Sequence, residues 1–269
     1  MASQLEFSKK PKWALQLNDS LLMVKRSTRH IVRNTDQLLG AFFQPIMFLV
    51  LFASVFGGSI SKILPPGVSY INFLMAGIVV QTVAFGSTTT ALSVANDLKK
   101  GIIDRFRSLP MSNLAVLNGH VVSDIFRNTI STSVMLLAGL AIGFRPHASF
   151  VQWLQIIGIL LIFTFAFSWL SAIVGLVAKS VEAVQWLTFV LVFPLTFAST
   201  AFVPSEGMGK YLKVFAVNQP ITQVVEAIRA LILGTPICNH GWLAVVWSLA
   251  ILVVCIPLAA VLFRNKVTN

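Results

Sequence analysis

Residues 242–263 read WLAVVWSLAILVVCIPLAAVLF, a run that contains no charged side chain. At about 1.5 Å per residue, a helix of this run is about 33 Å long. The hydrocarbon core of a bilayer is roughly 30 Å thick, and an uncharged apolar run of this length is typical of a transmembrane helix. The run therefore predicts a membrane crossing, which the bases Arg264 and Lys266 follow directly.

Five further apolar runs precede this one along the chain. Charged or turn-forming segments separate them, such as the segment rich in Gly and Pro between Gly57 and Gly67. Pro45 lies inside the first run, where neighbouring helices can satisfy the freed carbonyl. We predict an all-α integral membrane domain over residues 38–266 with six transmembrane helices, the first five at residues 38–56, 71–94, 111–143, 151–178 and 184–202.

The composition agrees with a membrane protein. The chain is 56% hydrophobic and 11% charged, with a mean hydropathy of +0.83, whereas soluble domains carry roughly 25% charged residues. The net charge of +11 raises the alternative of nucleic-acid binding. We exclude that alternative because the bases lie at the ends of apolar runs and not together with stacking aromatic side chains.

The positions of Lys and Arg predict the orientation. Basic residues collect on the cytosolic side of membrane proteins, and a cytosolic N-terminus places fifteen of the 20 bases inside. We therefore expect both termini in the cytosol. The inside set is Lys9, Lys10, Lys12, Lys25, Arg26, Arg29, Arg33, Lys99, Lys100, Arg105, Arg107, Arg127, Lys179, Arg264 and Lys266, and the outside set is Lys62, Arg145, Lys210, Lys213 and Arg229.

Two segments outside the crossings have their own patterns. Residues 1–37 mix bases with interspersed leucines, which favours an amphipathic helix on the cytosolic leaflet over a solvated tail. Residues 204–236 are too polar at their start to cross. Their second half, from Ile221 to Gly234, has a helical apolar face with Pro220 at its start and Gly234 at its end. At about 21 Å it is shorter than the membrane core, so we predict a re-entrant or interfacial helix.

The loop between the second and third crossings reads NDLKKGIIDRFRSLP at residues 96–110. Its apolar residues recur at helical spacing, which predicts an amphipathic helix over 97–110 that Pro110 ends. Such a helix can lie flat and offer Phe106, with its flanking bases, to a cytosolic partner. A solvated loop that only helps to set the topology is the alternative, and the residues alone favour neither.

Three stretches of this sequence resemble the permease subunits of ABC-2 type transporters, in the branch of bacterial drug-resistance exporters of the daunorubicin permease type. The first runs from Gly77 to Ser112 and includes the segment from Asp104 to Pro110. The sequence departs from the resemblance at His120, where many relatives have an arginine. The other two stretches are Ala201–Pro204 with Met208 and Asn218–Thr222, and Glu226–Leu231 ending at Gly234.

The resemblance implies a fold, partners and site residues. The fold is six transmembrane helices of the ABC-2, or type V exporter, kind, with an N-terminal connecting helix on the membrane and re-entrant helices between the fifth and sixth crossings. The partners are a second permease copy or a related permease, membrane lipid, and cytosolic ATPase subunits. The residues that would couple the permease to the ATPase are Asp97, Leu98, Lys99, Lys100, Asp104, Arg105, Phe106 and Arg107, and the segment after the fifth crossing, which includes Asn218, would close an outer gate. Glu226 and Arg229 are neighbours on one helix face, so they are candidates for a latch of that gate, and a structural pair is the favoured alternative.

Polar and aromatic side chains inside the apolar runs are candidates for the translocation path. Polar groups avoid lipid and face the bundle, although hydrogen bonding between helices, at roughly 0.6 kcal/mol each, explains any single one as well. Three phenylalanines at a spacing of four form an aromatic ridge, which ordinary helix packing also uses. These candidates are Gln81, Ser87, Thr196, Ser199, Phe189, Phe193 and Phe197. Asp124 and Arg127 are a predicted pair on one helix face.

No catalytic residue, metal site or cofactor is expected in this chain. The four histidines match no metal-ligand spacing, and the motif G-x-x-x-x-G-K-[ST] does not occur. We therefore expect a separate ATPase chain to bind ATP and Mg. The predicted function is export of a hydrophobic or amphipathic drug, lipid or lipopeptide across a bacterial plasma membrane. Polysaccharide export and a secondary transporter without an ATPase are the alternatives, and no motif supports an intramembrane enzyme.

Overall fold

The computed structural model describes residues 35–65, 67–101 and 115–268, and these residues contain helices and no strand. The predicted helix within residues 1–37 lies almost wholly outside them. So does most of the predicted helix over 97–110. The α-helices of the described residues are α1 (Thr35–Ile60), α2 (Tyr70–Gly86), α3 (Thr88–Lys99), α4 (Ala115–Ile142), α5 (Phe150–Val177), α6 (Val181–Phe197), α7 (Lys210–Asn218), α8 (Pro220–Leu233) and α9 (His240–Thr268), with a short 3-10 helix at Ser205–Gly207.

The all-helical membrane character predicted from the apolar runs is confirmed. Among the described residues, five stretches are long and apolar enough to cross a bilayer, and a sixth apolar helix, α6, has 17 residues. The helices α2 and α3 together make one such stretch, with a break at Ser87 between them. The five stretches are Phe42–Ile60, Tyr70–Lys99, Val116–Ile142, Phe150–Val177 and His240–Lys266.

The helix pair α2–α3 lies at the centre of the bundle. In the most apolar part of the Tyr70–Lys99 stretch 78% of the residues are buried, against 17% in the first and last stretches. The helix α2 packs against α1, α4, α5 and α8, and its residues from Asn72 to Ala84 are buried on every side. The helices α1 and α9 lie at the periphery of the bundle and leave large apolar side chains exposed, as helices in contact with lipid do.

Several crossings end at other residues than the sequence predicted, among them the first at Ile60 instead of Phe56 and the last at Thr268 instead of Phe263. The second continues past Val94 to Lys99 and stops at Gly101, which has a positive φ of 61°, because no residue between them breaks a helix. The fifth ends at Phe197 and not at Phe202. There the Ser199 hydroxyl donates to the Thr196 carbonyl (2.5 Å) and accepts from the Ala201 amide (3.1 Å), so a turn held by a side chain replaces the helical hydrogen bonds.

The segment after the fifth crossing folds into short helices. The helix α8 begins at Pro220 and is followed by Gly234 in the left-handed conformation, with φ of 70°. The start and stop predicted for this helix are therefore confirmed. Its apolar face, which includes Ile221, Val225 and Ile228, is fully buried, so α8 is part of the core and not a helix on the surface.

Candidate functional site

A cluster of charged and polar side chains is buried at the middle of α4. Arg127 donates to the Asp124 carboxylate and to the Gly86 carbonyl. The same carboxylate accepts from Asn128 (3.1 Å) and from Ser168 of α5 (2.5 Å). Asp124 and Arg127 expose only 2% and 4% of their surface, so the cluster ties together α2, α4 and α5 in the absence of solvent.

The position of Arg127 corrects the charge count made from the sequence. Arg127 was assigned to the cytosolic set, although it falls within the predicted third crossing at residues 111–143. The residue lies in the interior of α4 and is buried, because its charge is compensated by Asp124 within one helical turn. The asymmetry of the remaining bases still favours cytosolic termini.

An inner cavity of about 180 Å³ lies beside this cluster, between α1, the α2–α3 pair and α4. Gln81, a candidate for the path, lines it from α2. Ser87, the other candidate on this crossing, instead lies at the break between α2 and α3, where its hydroxyl donates to the Val83 carbonyl (3.0 Å). The residues that line the inner cavity are Gly40, Gln44, Pro45, Gln81, Thr82, Phe85, Gly86, Thr89, Leu92, Arg127, Asn128 and Ser131.

The aromatic ridge of α6 forms a continuous stack of rings. The ring centroids of Phe189 and Phe193 are 4.8 Å apart, and those of Phe193 and Phe197 are 4.3 Å apart. Phe197 also contacts Phe48 of α1 at 6.0 Å. Phe189 is 47% exposed, so one end of the ridge packs against α1 while the other end lies at the surface of this single chain.

Thr196 and Ser199 line neither the inner cavity nor the outer cavity described below. Thr196 donates to the Val192 carbonyl (2.8 Å) and Ser199 to the Thr196 carbonyl (2.5 Å). Both hydroxyls are thus used within their own segment. The alternative interpretation of these residues was hydrogen bonding between helices, and these two bonds of their hydroxyls are local instead.

Arg229 of α8 holds together the end of the bundle at which α2 begins, which is the outer end in the predicted orientation. Its guanidinium donates to the Phe73 carbonyl (3.2 Å), the Glu226 carboxylate (2.6 Å) and the Thr200 carbonyl (2.6 Å). The same group lies 3.6 Å from the centre of the Phe73 ring, a cation–π contact. One side chain therefore joins α8 to α2 and to the turn after α6.

An outer cavity of about 780 Å³ borders this arginine. Glu226 and His240 line it as well, and the His240 ring is 2.8 Å from the Gln223 side-chain oxygen. Asn218, the third residue of the predicted gate, does not line this cavity. Its amide donates to the Val214 carbonyl of its own helix (2.8 Å).

The described part of the predicted coupling segment ends at Gly101. Asp97, Leu98 and Lys99 form the last turn of α3, and Lys100 follows it. Asp97 lies 3.0 Å from the His120 ring of α4, so the histidine that departs from the resemblance pairs with the first residue of this segment. The remaining four residues, Asp104, Arg105, Phe106 and Arg107, lie outside the described residues.

Sequence reasoning missed several residues of the inner cluster and of the outer end. Asn128 and Ser131 follow Asp124 at spacings of four and seven on α4. Together with Arg127 they make a polar stripe along one face of an otherwise apolar helix, and this signal was available. No such signal pointed to Ser168 or to the Thr200 carbonyl, because their partners lie on other helices.

Comparison with known proteins gives one family and several full-length relatives. The family described as ABC-2 type transporter matches residues 19–233. The chain is 29% identical over 262 residues to the daunorubicin resistance ABC transporter permease protein DrrB1 of Streptomyces coeruleorubidus. That alignment covers 97% of this chain and 92% of the relative.

A second relative comes from Mycobacterium tuberculosis and is named "Probable doxorubicin resistance ABC transporter permease protein DrrC". It is 24% identical over 250 residues, which cover 93% of this chain and 90% of the relative. A doxorubicin resistance ABC transporter permease protein of the same organism, DrrB, is 27% identical over 195 residues, or 70% of this chain and 66% of the relative.

Proposed function

Because this chain belongs to the ABC-2 type transporter family, we propose that it is the membrane-spanning subunit of an ATP-driven exporter of amphipathic or hydrophobic compounds. The observation that carries the proposal is the likeness to the daunorubicin resistance permease, which extends over 97% of this chain and 92% of the relative. A likeness of that extent relates two whole membrane domains. A drug, a lipid or a lipopeptide is the proposed substrate, and export of a polysaccharide is the alternative within the same superfamily.

The proposed topology has six crossings, with both termini in the cytosol of a bacterial cell. The 17 residues of α6 extend about 26 Å, and the turn that follows them completes the distance to the outer surface of the roughly 30 Å core. The helices α7 and α8 then form the re-entrant segment on the outer side. This arrangement places Arg229 and the outer cavity at the exit of the path.

ATP hydrolysis belongs to a partner in this proposal. A cytosolic ATPase binds ATP and Mg, and this chain holds neither. The segment 97–110 docks on that partner and transmits its motion to α3, of which Asp97 is part. The pairing of Asp97 with His120 supports this role, because it passes a displacement of α3 on to α4.

A second permease, identical or related, completes the transporter. The exposed aromatic side chains at the surface of α6 support this part of the proposal, among them Trp186 at 70% and Phe189 at 47% exposure. Aromatic residues are enriched at the centres of protein interfaces. Two such chains would enclose a path between them that neither encloses alone.

A secondary transporter is the second candidate, and one observation favours it. Proton-coupled carriers use titratable groups inside the membrane, and Asp124 is such a group. Its pairing with Arg127, Asn128 and Ser168 favours a structural role. The experiment that separates the two candidates is the search for the ATPase.

The chain should be purified with a tag from its native membranes in a gentle detergent, and its companions identified by mass spectrometry. We expect a stoichiometric soluble protein that carries the Walker A motif and whose ATPase activity depends on this chain. Absence of such a partner from a folded, monodisperse chain, together with transport driven by a proton gradient, contradicts the proposal in favour of the secondary transporter.

The variant Phe106→Ala/Arg107→Ala tests the docking segment. We expect co-purification and ATPase stimulation to fall by about tenfold or more, because a buried aromatic residue with a neighbouring arginine is a typical interface hot spot. The control is Tyr211→Ala/Lys213→Ala on α7, where both side chains are exposed. Unchanged assembly of the first variant would show that this segment does not dock.

A further inference from the structure

The inner cavity contains buried polar atoms that have no partner among the described residues. Both polar atoms of the Gln81 amide, the Asn128 side-chain oxygen and the Ser131 hydroxyl are buried without a hydrogen bond to any part of the chain that the structure describes. The three residues expose between 2% and 3% of their surface. Buried polar groups are nearly always paired, and an unpaired one destabilises the fold. Three of them on one cavity therefore indicate a binding site.

These atoms lie on two helices and face one space. Gln81 belongs to α2, while Asn128 and Ser131 lie one turn apart on α4, and all three line the inner cavity. The close approach of the two helices is made possible by Gly86, where a Cβ atom would come within 2.0 Å of the Asn128 side-chain oxygen. The fold thus positions the amides for a ligand and not for each other.

The chemistry of the free atoms selects a neutral ligand that both donates and accepts hydrogen bonds. A side-chain amide offers a donor and an acceptor whichever way it is oriented, and a hydroxyl also offers both. Among the described residues that line the cavity, Arg127 is the one charged group, and it is already paired with Asp124. An additional charge would be buried without compensation, whereas ring hydroxyls satisfy all these atoms.

The size of the cavity limits the ligand to one ring. Drug-sized molecules occupy sites of roughly 300–1,000 Å³, and a cavity of roughly 150 Å³ in another protein binds a benzene molecule. The inner cavity, at about 180 Å³, accordingly holds one substituted ring of a larger compound. The rest of that compound has to lie outside the cavity.

The opening of the cavity is on the side of α1. Gly40 and Gln44 line the cavity and are exposed. A Cβ atom built on Gly40 meets no atom of the described residues within 4 Å, which leaves space among these residues beside this glycine. A large side chain at this position would fill that space and obstruct the opening.

We propose that the inner cavity binds a neutral hydroxylated ring, such as a sugar, of an amphipathic substrate whose apolar part stays outside along α1. The inference rests on the proposed function, since it takes the ring to be part of the exported compound. It adds a polar specificity site within one permease chain, formed by Gln81, Asn128 and Ser131.

Fluorescence anisotropy of N-acetyldaunorubicin tests the proposal. This compound carries an uncharged sugar, and its aglycone lacks that sugar. The full-length permease is held in phospholipid nanodiscs without nucleotide, so the result does not depend on an ATPase. We expect the glycoside to bind about tenfold more tightly than the aglycone, the discrimination that one or two neutral hydrogen bonds supply.

The variants Gln81→Leu/Ser131→Ala and Gly40→Leu should each abolish this preference while the aglycone binds as before. Gly40→Leu leaves every polar atom of the cavity in place, so it answers the question even if the first variant fails to fold. The matched controls are Ser248→Ala, a buried serine that bonds its own helix, and Gly58→Leu, a second glycine of α1 with open space around it. Both controls should retain the preference.

Two results overturn the proposal. One is equal binding, or no binding, of the glycoside and the aglycone by the original permease. The other is a preference that survives in folded Gln81→Leu/Ser131→Ala and in Gly40→Leu. Nanodiscs that contain a monoglucosyl lipid distinguish the source of the ring. If this lipid competes with the probe, the site also binds a membrane lipid. If it does not compete, the site binds the ring of the exported compound and not that of the lipid.

Discussion

At the scale of single residues, the chain depends on two buried arginines whose charges are met by protein groups. Arg127 is paired with Asp124 in the middle of α4, and Arg229 with Glu226 in α8. Each guanidinium also donates to a backbone carbonyl of α2, that of Gly86 for Arg127 and that of Phe73 for Arg229. Since α2 is the central helix, each arginine fixes its own helix to the core.

The variant Asp124→Ala should lower the stability of the folded chain by about 3–5 kcal/mol, because it leaves the Arg127 charge buried without a partner. Asp124→Asn, which retains a hydrogen-bond acceptor, should cost less. The measurement is the fraction of monodisperse protein by size-exclusion chromatography after heating. Glu206→Gln is the control, because Glu206 is exposed. An Asp124→Ala protein with the thermal profile of the original would refute the structural role of the pair.

The variant Arg229→Lys should also destabilise the chain, by about 2–3 kcal/mol, because a lysine cannot reproduce three separate hydrogen bonds from a planar group. The same heating assay measures the effect. Arg145→Lys is the matched control, since Arg145 is exposed and its guanidinium donates to the Leu140 and Phe144 carbonyls. If both substitutions have equal effects, the contacts of Arg229 with α2 contribute nothing beyond its charge.

At the scale of the helices, two glycines allow backbones to approach closely. A Cβ atom on Gly77 of α2 would come within 2.0 Å of the Ala201 carbonyl oxygen, and one on Gly175 of α5 within 2.4 Å of the Ala91 carbonyl oxygen. Both obstacles are backbone atoms, which cannot rotate away. Small residues at helix interfaces have this role in membranes, where close van der Waals packing holds helices together.

We therefore expect Gly77→Ala and Gly175→Ala to destabilise the bundle, although alanine favours a helix by about 1 kcal/mol over glycine. Gly58→Ala is the control within a helix, because a Cβ atom there meets nothing within 4 Å. It should be neutral or stabilising. Thermal unfolding followed by circular dichroism compares the three, and a stable Gly77→Ala would mean that α2 and the turn after α6 can separate at little cost.

Some helix ends can be predicted from the residues at the end itself, and others cannot. The start of α8 at Pro220 and its stop at Gly234 were predicted, because both residues act through their own backbone. The end of the fifth crossing at Phe197 was not predicted. It depends on the Ser199 hydroxyl, which bonds two backbone groups, and the stretch from Ala198 to Phe202 contains no charge, Gly or Pro that would mark a helix end.

At the scale of the whole molecule, chemical labelling of the two cysteines can test the proposed topology. Cys238 is exposed in the segment before α9, and Cys255 is buried within α9. With the region after the fifth crossing on the outer side, Cys238 faces the outside of the cell. A membrane-impermeant maleimide should therefore label intact cells at Cys238 and leave Cys255 unmodified.

The control for this labelling is Cys238→Ser, which should remove the signal. Mass spectrometry of the labelled peptide identifies the modified residue. Labelling of Cys238 only after the cells are permeabilised would place this segment in the cytosol, and the six-crossing arrangement would then be wrong.

The sequence alone determined the class of molecule, because the hydrophobic effect acts on each apolar run by itself. The length of a run such as residues 242–263 has to match the bilayer whatever surrounds it, and the distribution of Lys and Arg sets the orientation without reference to packing. The resemblance to ABC-2 permeases could also be recognised without the tertiary structure, because it lies in short continuous stretches such as Gly77–Ser112.

Only the tertiary structure decided which polar residues act together. Gln81, Asn128 and Ser131 face one cavity because α2 and α4 meet at Gly86. Ser168 reaches Asp124 from a different helix, and Thr196, a candidate from the sequence, bonds only its own helix. Hydrogen bonds between helices depend on the rotation and spacing of both partners, and these quantities are set by side-chain packing across the whole bundle.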